Sequence, residues 1–208
     1  MIAADRIAEE NSPRLSHHRS DYQHLGDVLA RSGVDAEAVA GALARFSVAC
    51  PSWALGTGST RFGCFPGGGE PVTTEQKIDD VAALHALTGA NRSVSLHVPW
   101  DDPQDPAALR EYARERGLGF DAMNSNTFQD QPDQERSDRF GSLTHVDPGV
   151  RRQAVEHNLE CIAIGRELGS KALTVWIADG GNFPGQLDFR GALARYVESL
   201  REIYAGLP

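Results

Sequence analysis

From residue 47 onward the chain repeats one pattern four times: a short apolar run, a loop, then an amphipathic stretch opened by a capping residue. The apolar runs are Ser47–Leu55, Ser93–Val98, Leu118–Asn124 and Ala172–Ile177, and each reads as a strand. The first three helical stretches open at Thr74, at the Asp105–Pro106 pair and at the Asp147–Pro148 pair, and close at Gly89, Gly117 and Gly169. A fourth helix follows the last strand, with Leu193, Val197, Leu200 and Tyr204 as its expected buried face. Strands joined through helices cannot pair as hairpins, so they form a parallel sheet with right-handed crossovers. The longer loops all follow strands, whereas the helix-to-strand connections are short. That asymmetry fits a barrel or a doubly wound sheet whose chemistry sits at the C-terminal ends of its strands.

Residues 1–46 precede the repeat and read as an N-terminal polar and helical arm, which leaves 47–208 for the β/α units. Asp35 caps a helical stretch in which Val39, Leu43 and Phe46 recur at spacings of four and three. The cluster His17, His18, Arg19 and His24 matches no metal-ligand spacing and reads as surface. A net charge of −9 and a pI near 5.2 argue against a nucleic-acid backbone or an anionic membrane as partner. No apolar run approaches the roughly 18 residues of a membrane span, and the opening MIAADRIAEENSPR has no signal-peptide core, so the expected location is the cytoplasm. Cys50, Cys64 and Cys161 are too scattered for a disulfide framework or a zinc site. There is no GxxxxGK[ST], and the glycine-rich loop Gly56–Pro71 lacks the tight spacing and immediate helix start that phosphate cradling uses.

The residues that can do chemistry collect at the strand ends. The first strand offers Trp53, the second His97 and Trp100 with Asp101, and the third Asn124, Asn126 and Phe128. The fourth supplies Trp176 and Asp179, with Asn182 in the loop behind it. One tryptophan at such a place ordinarily fills a core. Three of them beside one histidine and Phe128 look instead like the apolar wall of a small-molecule pocket. Aromatic walls suit the C–H faces of a sugar, whose hydroxyls need Asp, Asn and His partners. His97 is the expected proton-transferring group, oriented by a carboxylate such as Asp101. His85, His145 and His157 read as structural or surface residues. Cys64 has only Arg61 as a basic neighbour and is a weak nucleophile, and there is no GxSxG.

Five segments, TRFGCFPGGGEP, SVSLHVPWDD, NSNTFQD, GSLTHVDPGVRRQAV and ALTVWIADGGNFPGQ, resemble the bacterial L-rhamnose isomerases of the xylose-isomerase-like barrel superfamily. The likeness is to the metal-dependent, broad-specificity kind known from pseudomonads, and it runs from about Cys50 to Asp188. It implies an α/β fold that is the N-terminal half, about four β/α units, of a (β/α)₈ TIM barrel. It also implies an enzyme interconverting L-rhamnose and L-rhamnulose, along with related aldose–ketose pairs, by moving hydrogen between C1 and C2. His97 then matches the histidine that contacts the sugar near its ring oxygen and assists ring opening. Trp53, Trp100, Phe128 and Trp176 match the aromatic pocket, with Asp179 and Asn182 as further substrate-binding groups. Phe65 matches a loop phenylalanine that reaches across a subunit interface in a homo-oligomer, a tetramer or dimer, to cover the neighbouring site.

The family uses a divalent cation, Mn²⁺ by resemblance, as a Lewis acid on the sugar oxygens. Its ligands come from strands later than the fourth, and after Asp188 this sequence holds only FRGALARYVESLREIYAGLP. No metal ligand is therefore assigned here. A complete barrel typically needs about 250 residues, so the 208-residue chain is expected to be inactive alone. Two other readings share these features: a related sugar isomerase or epimerase of the same superfamily, and a non-catalytic, sugar-binding half-barrel.

Overall fold

The structure, a computed structural model, describes residues 4–56, 68–178, 180–181, 183 and 185–207. Three helices come first: α1 (Ala4–Asn11), α2 (Leu15–Ala30) and α3 (Ala36–Ala44). The stretch read as a polar and helical arm is helical, and its His-Arg cluster is exposed on α2. Asp35 caps α3 as expected, its side chain accepting from the Ala38 amide.

The β/α units then follow in order. They comprise β1 (Ala49–Pro51), α4 (Thr74–Thr88), β2 (Ser93–Ser95), β3 (His97–Val98), α5 (Pro106–Glu115) and β4 (Gly119–Phe120). The chain continues through β5 (Met123–Thr127), α6 (Pro148–Leu168), β6 (Leu173–Ile177) and α7 (Phe189–Ala205). Strands β1, β2 and β4 form one parallel sheet, and β3, β5 and β6 form another. The second strand of the sequence reading is broken at Leu96 into β2 and β3, and the third is broken at Asp121–Ala122 into β4 and β5. Main-chain bonds carry the pairing across the breaks, from the Asp121 amide to Val94 and from the Asn124 amide to Leu96. Four parallel rows therefore lie side by side in sequence order.

Local chemistry explains the boundaries. Thr73, one residue earlier than expected, caps α4 through a reciprocal capping box with Gln76. Asp105, Asp147 and Asp188 cap α5, α6 and α7, each accepting from a main-chain amide of the first turn. Gly89 and Gly169 end α4 and α6 in the left-handed conformation, at φ of 69° and 82°. The first strand is shorter than Ser47–Leu55: Pro51 has no amide to give a ladder, and Ser52–Ala54 wind into a 3₁₀ turn. The third strand runs three residues beyond Asn124, so Asn126 stands in a strand rather than a loop.

Alternation along β2 and β3 sends Val94, Leu96 and Val98 into the core beneath Ile78, Val81 and Leu109 of α4 and α5. Ser95 and His97 belong to the opposite face. A second cluster joins α6 and α7 through Val155, Ile162 and Ile203 around Leu143. Here the sequence reading of α7 is corrected. Leu193 and Tyr204 are 62% and 68% exposed, Val197 is also exposed, and the helix buries Ala192, Ser199 and Ile203 instead, with Leu200 partly covered. Two polar clamps set this rotation. Ser199 Oγ donates to the Leu143 carbonyl at 2.9 Å and Arg195 Nε to the Thr144 carbonyl at 2.7 Å.

Candidate functional site

Four aromatic side chains and one imidazole converge at the C-terminal ends of the strands. The His97 ring lies flat on Trp100, with centroids 3.8 Å apart and planes 13° from parallel. Trp53 meets it edge-on at 5.6 Å and Phe128 does so at 6.0 Å. Phe128 in turn contacts Trp100 at 6.3 Å and Trp176 at 5.9 Å. These rings form one cluster whose members come from all four rows of the sheet. Phe65, Asp179 and Asn182, the other residues expected to take part, lie outside the described residues.

Each element places its residue by register. His97 pairs with Asn124 across β3 and β5, and Asn126 pairs with Trp176 across β5 and β6. Trp176 Nε1 donates to Asn124 Oδ1 at 3.1 Å, and Asn124 Nδ2 donates to the Leu96 and Ala122 carbonyls. Asn124 is thereby fixed as a strut between neighbouring rows. Asn126 differs: its side chain is buried with both amide atoms unpartnered, and His97 Nδ1 is also buried without a partner. Buried polar atoms left unpaired in this way are uncommon and call for a reason.

Burial is the main influence on the His97 ring. It lowers the pKa to about 4 against the opposing attraction of Asp101, so the imidazole is neutral at neutral pH. The carboxylate of Asp101 does not orient the ring, contrary to the sequence reading. Its Oδ2 accepts from the His97 main-chain amide at 2.9 Å, and the Asp101 amide donates back to the His97 carbonyl at 2.8 Å. Asp101 is further engaged by Ser52 Oγ and by Lys77 Nζ, the latter at 2.6 Å. The sequence reading missed Lys77 and Ser52. The signal for Lys77 was its spacing: four residues before Val81, it shares the helix face that faces the core.

His157 is structural, as expected, and its role is specific. From α6 its Nε2 accepts from the Asn126 amide at 3.2 Å and lies 3.3 Å from the Val98 carbonyl, where β3 and β5 run side by side. Among the described residues no three His, Cys, Asp or Glu side chains converge to hold a metal ion. Asp101, the buried carboxylate next to His97, already has a lysine, a hydroxyl and an amide as partners. The described residues therefore do not fit a divalent-cation site.

No family model matches the chain. Over all 208 residues it is 53% identical to a probable sugar isomerase of Rhizobium meliloti (strain 1021) and to another of Mesorhizobium japonicum. The chain spans 48% of the length of these curated relatives. Among solved structures it is similar to an L-ribulose 3-epimerase, with a TM-score of 0.51 and 15% identity over 77% of this chain and 47% of that one. It is also similar to a D-allulose 3-epimerase from Methylomonas sp., with a TM-score of 0.52 and 14% identity over 78% of this chain and 47% of that one. In sequence the chain is related to proteins named as probable sugar isomerases, and in fold it is one half of the β/α barrel found in sugar epimerases.

Proposed function

We propose that this chain is the sugar-holding half of an aldose–ketose isomerase acting on L-rhamnose and L-rhamnulose, with related sugars accepted. One observation carries the reading: a neutral, buried imidazole with an unpartnered Nδ1 stands inside an aromatic wall, accompanied by an unpartnered buried asparagine amide. A neutral imidazole can take the proton of an anomeric hydroxyl or return it to the ring oxygen, which is what ring opening requires. The Asn126 amide has a donor and an acceptor for sugar hydroxyls. Trp53, Trp100, Phe128 and Trp176 offer apolar surface to the C–H faces of the sugar, with one face of Trp100 given to His97. By the resemblance, Asp179 and Asn182 are assigned as further substrate-binding groups and Phe65 as the residue offered to a neighbouring subunit of a homo-oligomer.

Moving hydrogen between C1 and C2 also needs the carbonyl and hydroxyl oxygens polarised. A divalent cation such as Mn²⁺ would supply that polarisation as a Lewis acid. Its ligands come from outside the described residues, in further β/α units of the kind that the added length of the relatives accommodates. The 208-residue chain by itself then binds sugar weakly, does not isomerise it and does not hold Mn²⁺ tightly.

Tryptophan fluorescence tests the reading directly, because every tryptophan of the chain is in the wall. L-Rhamnose should shift the emission of the purified chain, and Trp176→Ala should remove most of that shift. No response to L-rhamnose, L-rhamnulose or any related hexose would overturn it. Fusing this chain to the C-terminal half of a relative and assaying a panel of aldoses, ketoses and 3-epimers separates isomerase from epimerase.

A further inference from the structure

Strand β1 ends at Pro51, opposite Ser95, and leaves the next row unaccompanied on that side. Past that point the His97 main-chain amide has no β1 residue beside it to receive it. Asp101 does so instead: its Oδ2 accepts from the His97 amide at 2.9 Å, while its own amide closes the turn onto the His97 carbonyl at 2.8 Å. Trp100, carried by the same turn, is thereby laid on the imidazole. The carboxylate that performs this is 2% exposed, and a buried carboxylate needs partners for both of its oxygens. Lys77 of α4, itself 7% exposed, reaches its other oxygen at 2.6 Å, and Ser52 of the turn after β1 donates to Oδ2.

We infer that Lys77 is a positioning residue for His97: its ammonium pairs with Asp101 and keeps it aimed, and Asp101 stands in for the missing strand in fixing the His97–Trp100 turn. A buried ion pair is a poor device for stability, since apolar side chains of similar volume do as well or better. What an apolar pair cannot supply is a directed acceptor for one amide. Lys77 comes from a helix, Ser52 from a turn and His97 from a strand, so the arrangement locks three elements at the site. The inference deepens the sugar-isomerase reading and depends on it for its functional meaning. Its structural content does not depend on any sugar.

The test is NMR of the 208-residue chain at pH 7 without sugar. Stacking on Trp100 displaces the His97 ring protons upfield, and the carboxylate bond displaces the His97 amide proton downfield. Lys77→Met should lose more than half of both displacements while the signals of His145 stay in place. A folded Lys77→Met chain that keeps both displacements overturns the inference. If that variant does not fold, Lys77→Met/Asp101→Asn is read in its place, because it buries no unpaired charge. Loss of the two displacements in the double variant supports the inference, and their retention overturns it. A double variant that also fails to fold overturns it too, since the pair would then hold the whole fold rather than one turn. Adding L-rhamnose to the unmodified chain reports separately on the sugar reading.

Discussion

The imidazole of His97 and the carboxyl of Asp138 titrate in overlapping pH ranges with opposite consequences. Burial lowers the His97 pKa to about 4, from the ordinary 6.5, so between those values the unfolded chain binds the extra proton. Stability from this group is present in full above pH 6.5 and is lost as pH falls toward 4. Asp138 sits in the loop between β5 and α6, where burial and the nearby Asp130 raise its pKa to about 6, against a hydrogen bond from Gln134 that lowers it. Between 3.8 and 6 the folded chain holds the extra proton, so this group costs stability as pH rises through that interval. Thermal unfolding measured from pH 4 to 7 separates the two. His97→Gln should flatten the acid-side loss, whereas Asp138→Asn should gain on the unmodified chain as pH rises and match it near pH 4. Reversed signs would mean that the burial described here is wrong. The titration midpoint of His97 by NMR, expected near 4, checks the first assignment independently. Sequence singled out His97 from its place before VPWDD, but not Asp138. A lone aspartate in a polar loop reads as solvated until the chain folds over it.

Helix ends were the most legible elements, because capping is local chemistry written within four residues. Asp147 shows this: its Oδ1 accepts from the Gly149 amide at 2.7 Å at the start of the 21-residue α6. Asp147→Ala should cost about 1 kcal/mol, read as a fall of roughly 2–4 °C in the unfolding midpoint of a chain this size. No change would show that the loop before α6 supplies another acceptor. Strand limits were less legible. The breaks at Leu96 and at Asp121–Ala122 fall where pairing shifts between neighbouring rows, whereas the early end of β1 follows from Pro51 and the 3₁₀ turn behind it. The rotation of α7 was not legible either. Its strongest apolar stripe, Leu193, Val197 and Tyr204, points away from α6 because Ser199 and Arg195 bond the Leu143–Thr144 carbonyls. Periodicity finds an apolar stripe; it does not say which surface is there to cover it.

Across the whole molecule, the described sheet has two open sides. β1 pairs only with β2, and β6 pairs only with β5. On β6 Trp176 is 44% exposed and Ile177 is exposed too, and α7 exposes Leu193, Val197 and Tyr204. Open parallel edges next to an apolar face are templates for association. The isolated chain should therefore self-associate with rising concentration through a second copy, seen as increasing mass by size-exclusion chromatography with light scattering. Leu193→Lys combined with Val197→Glu should reduce that association. A stable monomer at every concentration would count against it. Among the described residues no helix is long and apolar enough to cross a membrane.

The order of strands and helices, their caps and the aromatic residues at the strand ends were determined by the sequence alone. Each rests on periodicity or on chemistry within a few residues. Tertiary structure decided what those residues meet. It placed His97 flat on Trp100, gave Asp101 to a main-chain amide rather than to the ring, and brought Lys77 from a helix 24 residues away to hold it. Such contacts depend on where one row of the sheet stops beside the next. No local pattern records that distance.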